Sequence, residues 1–154
     1  MNSGPAVSET TSQPRAAVPA LAGERVLATV GGWRLILTLN SDSSFNRCIL
    51  HADQYGQVLQ VANNAEDFSV SVPASGHKNG ADGTIGVNGN QPEHFRFTPT
   101  RDRAWTVMSW DMSQLFETAR TIEVGIGNRE FQWKLRHTEK AVIRLTDCVN
   151  EYAP

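Results

Sequence analysis

Residues 33–51, WRLILTLNSDSSFNRCILH, decide the fold. In Trp33-Arg34-Leu35-Ile36-Leu37-Thr38-Leu39 the odd positions make one apolar face, the two-residue period of a half-buried strand. Asn40 to Ser44 is a run of turn formers, and Phe45 to His51 returns with Cys48 and Leu50 on one face, so the stretch predicts an antiparallel hairpin. Outward from it the pattern repeats. Gln57 to Val61 predicts a third strand after Tyr55-Gly56, and Asp67 to Val72 a fourth, with Phe68, Val70 and Val72 inward and Ser69 and Ser71 outward. The run Pro73 to Gly83 is too rich in glycine and polar residues for regular structure and is expected as the most mobile loop.

Thr84 to Val87 and His94 to Thr98 flank a turn at Asn88-Gly89-Asn90-Gln91-Pro92, with Phe95 and Phe97 expected on the buried side. Ala104 to Ser109 predicts another strand. Asp111 is then expected to cap a short helix near 112–119, where Met112, Leu115, Phe116 and Ala119 share a face. Thr121 to Ile126 and Glu130 to Arg136 alternate around Gly127-Asn128, placing Phe131, Trp133 and Leu135 inward. A C-terminal helix near 139–151 follows, capped by Thr138, with Ala141, Val142, Leu145, Cys148, Val149 and Tyr152 in one stripe. The expected architecture is therefore mainly β, a β-sandwich or half-open barrel decorated by two helices.

A chain of 154 residues fits one domain. Residues 1–23 hold three prolines, no aromatic residue and no period, which predicts a disordered leader ahead of a single domain over 24–154. Sixteen acidic and fourteen basic side chains are scattered without long blocks, giving a net charge of −2. That balance argues against a nucleic-acid footprint, and no apolar run is long enough for a membrane span. The N-terminus lacks the basic-then-apolar pattern of a secretory signal, which leaves a cytoplasmic location or an export signal already removed.

Cys48 and Cys148 stand one hundred residues apart, each on the inward phase of its element. That phase favours a bridge, worth roughly 4–5 kcal/mol in the chain-entropy model, over two buried thiols acting as small hydrophobes. A Cys48–His51 dyad is rejected, because residues three apart on a strand face opposite sides. His51, His77, His94 and His137 are dispersed without zinc spacing, and the Asn79-Gly80 and Asp82-Gly83 pairs carry one carboxylate where a calcium loop needs several. Gly31-Gly32 and Gly125-Ile126-Gly127 read as turn chemistry. No catalytic, cofactor-binding or metal-ligating residues are therefore assigned. Trp105 and Trp110 differ by an odd number, which on one strand puts one of them outside. With the neighbouring arginines they define a candidate interaction patch of Arg101, Arg103, Trp105 and Trp110.

Trp33 opening the first hairpin, Cys48 in its return strand, the Val87-Asn88-Gly89 turn, and Trp133-Lys134-Leu135 leading through Ala141 to Cys148-Val149 are similar to the invasion-associated locus B family. These are small exported α-proteobacterial proteins, and the resemblance covers most of residues 33–149. It implies a periplasmic or surface-associated β protein, in some members linked to host-cell colonisation, and supplies no catalytic residues. The resulting expectation is a non-enzymatic periplasmic or secreted binding protein with a protein partner, acting as monomer or homodimer. The competing readings are a small enzyme with a carboxylate or histidine site, and a cytoplasmic or phage-type accessory protein.

Overall fold

The computed structural model describes residues 23–74 and 79–154. The expectation of a disordered leader falls on residues outside this range, except Gly23, whose carbonyl accepts a hydrogen bond from the Leu39 amide at 2.7 Å. The centre of the expected mobile loop, residues 75–78, also lies outside the described residues.

Alternation builds the strands in chain order: β1 Glu24–Val30, β2 Trp33–Leu39, β3 Phe45–Gln54, β4 Gln57–Asn63 and β5 Phe68–Val72. Then come β6 Ala81–Val87, β7 Glu93–Thr100 and β8 Arg103–Val107, a helix α1 Trp110–Phe116, the hairpin β9 Thr121–Ile126 and β10 Arg129–Lys134, and a helix α2 Thr138–Tyr152. All ten strands join one antiparallel sheet in the order β1-β2-β3-β4-β5-β8-β7-β6-β9-β10, which does not close into a barrel. Because β5 pairs with β8, and β6 with both β7 and β9, the sheet folds back on itself. The main core draws on β2 (Trp33, Leu35, Leu37), β4 (Leu59, Val61), β6 (Ile85, Val87), β9 (Ile122, Val124) and β10 (Phe131, Trp133).

Polar contacts tie the far strands together. The Trp133 indole donates to the Gln57 carbonyl at 3.0 Å, and the Trp33 indole to the Arg136 carbonyl at 3.1 Å. The Gln54 side-chain amide accepts from the Lys134 N–H at 3.0 Å and also donates to the Lys134 carbonyl, so one side chain serves the end of β10 as a neighbouring strand would. Helix α2 lies across β2, β3 and β4, burying Ala141, Leu145, Cys148 and Val149. There Cys148 is bonded to Cys48, with Cα atoms 6.3 Å apart and both residues buried. That spacing lies within the range of about 4.4–6.8 Å usual for a disulfide. No helix among the described residues is long and apolar enough to cross a membrane.

Several local expectations need correction. β6 begins at Ala81, inside the run expected as loop, because Ala81 and Asp82 pair with Phe97 and Arg96 and an Arg96–Asp82 ion pair at 3.1 Å spans the two strands. The strand expected to reach Ser109 ends at Val107, and Ser109 caps α1, its hydroxyl accepting from the Met112 N–H at 3.1 Å. Asp111 therefore sits in the first turn and not at the cap, and Ala119 is buried beyond the end of the helix. α2 starts at Thr138 behind His137, which holds a left-handed φ of 59°. The Thr138 hydroxyl instead donates to the Ala119 carbonyl at 2.7 Å. Ser71 points away from the main core as expected, yet it is fully buried beneath other side chains.

Candidate functional site

The opposite face of the β2–β5 and β8 region carries the residues out of phase with Cys48. Strand register sets Arg34, His51, Gln60, Ser71, Trp105 and Thr98 side by side across six strands. The next row is Ile36, Ile49, Ala62, Ser69 and Val107, and beyond it lies the pair Thr38 and Arg47. Ile36, Ile49 and Ala62 form a second small core with Trp105 packed against it, and neither helix contributes to it. These three aliphatic residues are nevertheless buried.

Trp105 and Arg47 lie together on this face. The Arg47 guanidinium lies over the indole, 5.5 Å from its centroid, within cation–π range. Beside them is a concavity of about 350 Å³ whose lining includes Glu24, Thr38, Asn46, Arg47, Ile49, Gln60 and Trp105. A second hollow of about 340 Å³, on the outer face of β6, β7, β9 and β10, is lined by Asp82, Thr84, His94, Gly125, Arg129 and Glu130 and has no aromatic wall.

The four residues expected as an interaction patch do not share one element. Arg103 and Trp105 are two apart on β8 and face the same side; Arg101 sits exposed in the β7–β8 turn with a left-handed φ of 53°. Trp110 is exposed at 75%, and it owes this to its place at the start of α1, since the strand on which opposite phase was argued has already ended. Arg103 is latched onto the sheet: its Nε donates to Ser71 Oγ at 2.8 Å, and its Nη2 to the carbonyls of Val58 at 2.6 Å and Ser71 at 3.0 Å. Burial pushes its pKa down while the Asp102 carboxylate pulls it up, and the group stays charged. Sequence reading missed Asn46, Arg47 and Gln60. Arg47 and Gln60 stand at outward phases of β3 and β4, a signal present in the alternation, but which strands would lie beside β8 was not.

His51 carries no reactive partner. Cys48 is bonded to Cys148 on the other face, and the His51 Nδ1 is enclosed without a hydrogen-bond partner, while Nε2 lies 3.4 Å from Arg34 Nη2. Burial pushes the imidazole pKa down to about 4, helped by Arg34 and Arg103 and opposed by Asp53. The ring is therefore neutral in the folded protein at pH 7. Between its ordinary value near 6.5 and about 4 the unfolded chain binds the extra proton, so this contribution to stability is present above pH 6.5 and is lost as pH falls through that window. Discounted for partial solvent access, the loss should amount to roughly 1–2 kcal/mol. In urea unfolding from pH 7 to 4.5, His51→Gln should lose stability less steeply than the parent; equal slopes would show that His51 does not couple to folding.

Among the described residues no cluster of three or more His, Cys, Asp or Glu side chains is placed to hold a metal ion. Fold and site together describe a disulfide-bonded, open antiparallel β domain with an aromatic and arginine-lined concavity on the sheet face opposite the disulfide. No family model, curated protein or solved structure matches the chain.

Proposed function

We propose that this chain is a non-enzymatic binding module of the periplasm or the secreted fraction, engaging a protein partner through the sheet face around Trp105. The observation that carries the reading is the half-buried indole of Trp105 with the Arg47 guanidinium over it, at the edge of a concavity. Tryptophan and arginine in partly enclosed settings are the side chains most enriched at interface hot spots. The compartment is argued from the buried Cys48–Cys148 bond, since disulfides form and persist in oxidising environments. The resemblance to the invasion-associated locus B family points the same way and extends the proposal to host-associated surfaces.

Affinity capture from native envelope extract, read by mass spectrometry, tests the reading with the parent and Trp105→Ala side by side. The parent should recover a defined protein partner and the variant should lose at least about tenfold of it, as truncation of a hot spot of about 2 kcal/mol requires. Near-UV circular dichroism checks that the variant is folded, and Arg47→Glu provides a second disruption at a side chain that holds no core position. Equal recovery by all three proteins would remove this face as the interface.

A further inference from the structure

The concavity beside Trp105 is rich in donors whose acceptor counterparts are already engaged. Arg47 Nε donates to Asn46 Oδ1 at 3.3 Å, which turns the Asn46 amide so that its NH2 group is directed away from that bond. Among the described residues neither terminal nitrogen of Arg47 has an acceptor, although its carbonyl already accepts from the Thr38 hydroxyl at 3.2 Å. Gln60 follows the same logic through a relay. Arg103 Nε donates to Ser71 Oγ at 2.8 Å, so the Ser71 proton is directed to Gln60 Oε1 at 3.4 Å and the Gln60 NH2 group is left without an acceptor. Among the described residues the guanidinium fork of Arg47 and the two amide NH2 groups thus lack acceptors while the matching amide oxygens are bonded.

Charge agrees with this arrangement. Among the described residues the one ion pair is Arg96–Asp82, in the other half of the sheet, so Arg47, Arg34 and Arg103 have no carboxylate within 4 Å. Glu24 is the one carboxylate among the described residues that line the concavity. A ligand that fits must bring acceptors and negative charge in planar form, and beside Trp105 and Ile49 it must also bring a short apolar stem.

We infer that the concavity receives an acidic side chain of the protein partner, its carboxylate seated on the Arg47 fork with its methylene groups against Trp105 and Ile49. This rests on the proposed role of the same face. Arginine meets a carboxylate through two parallel hydrogen bonds, which a lone amide or hydroxyl ligand cannot supply. Arg103 and Ser71 are positioning residues, since they orient Gln60 and do not themselves meet the ligand.

The test uses N-acetylglutamate amide as the probe, with N-acetylglutamine amide and inorganic phosphate as comparisons, followed by the indole and side-chain amide signals in 1H–15N spectra of the full chain. The glutamate probe should shift the Trp105 indole and Gln60 NH2 signals saturably, and the glutamine probe should not. Arg47→Gln should weaken the glutamate probe about tenfold, the scale of a charge-assisted pair, whereas Arg129→Gln, whose guanidinium lies over Phe131, should leave it unchanged. Equal responses to both amides, a phosphate response as strong as that to glutamate, an unaltered affinity in Arg47→Gln, or no saturable shift by about 100 mM would each overturn the inference. If the probe fails while Trp105→Ala still abolishes partner capture, only the acidic side chain is refuted. If Trp105→Ala leaves capture unchanged, the interface itself is refuted.

Discussion

Replacing Trp133 by alanine is expected to cost about 3–5 kcal/mol, the range usual for removing a large aromatic side chain from a packed core. Trp133 is fully buried on β10, and its ring stacks on Phe131 with centroids 6.0 Å apart and planes 14° from parallel. Its indole N–H also holds the Gln57 carbonyl, so alanine would leave both a cavity and a carbonyl without that donor. The two losses fall where the tenth strand is joined to the turn between β3 and β4, and the sheet halves should loosen there first. Urea unfolding of the parent and Trp133→Ala gives the difference directly. A change under about 1 kcal/mol would mean that the ring contributes little to the core.

The second large effect is expected from the disulfide. Cys48→Ala with Cys148→Ala should lower stability by about 2–5 kcal/mol, because the bond closes a loop spanning most of the domain and constrains the unfolded chain. In the oxidised parent, a thiol count under denaturing conditions should find no free thiol, and reduction should release two. Since both residues are buried, reduction should be slow in the folded protein and fast once urea opens it. Two free thiols in the untreated protein, or equal stability of the double variant and the parent, would overturn the account.

The elements most legible in the sequence were those whose stability is local. Trp33 to Leu39 was bounded correctly because every odd position is apolar and a turn cluster follows it. The inward positions of Cys48 and Cys148 placed both thiols where the helix would dock, and the pairing followed. Less legible were features fixed by distant partners. β6 starts in a glycine-rich run because β7 lies beside it. Ser109 and Asp111 are both competent caps, and the end of pairing between β5 and β8 decided between them, with Val107 the last strand residue opposite Ser69. Ser71 was assigned the correct side, but alternation says nothing about whether that side is covered, and Arg103 covers it.

The candidate site shows the same limit. Thr38, Asn46, Arg47, Gln60 and Trp105 come from four strands, and the pairing that brings β8 into the group skips over two strands of sequence. Trp105 and Arg103 were visible as residue types suited to an interface. Their separate fates, one beside a concavity and the other bonded into the sheet, depend on a register that no local pattern encodes.

The bond pair from Gln54 to the end of β10 gives the molecule a direction. An open sheet has two growing ends, each able to template another chain through its unpaired backbone groups. Here a side chain occupies the template position at Lys134, whereas β1 pairs only with β2 among the described residues. A second copy added edge to edge at β1 would consume both joining edges, while a fibre needs both ends free on every copy. Gln54 thus bears on the difference between a particle that can pair and a polymer that cannot stop.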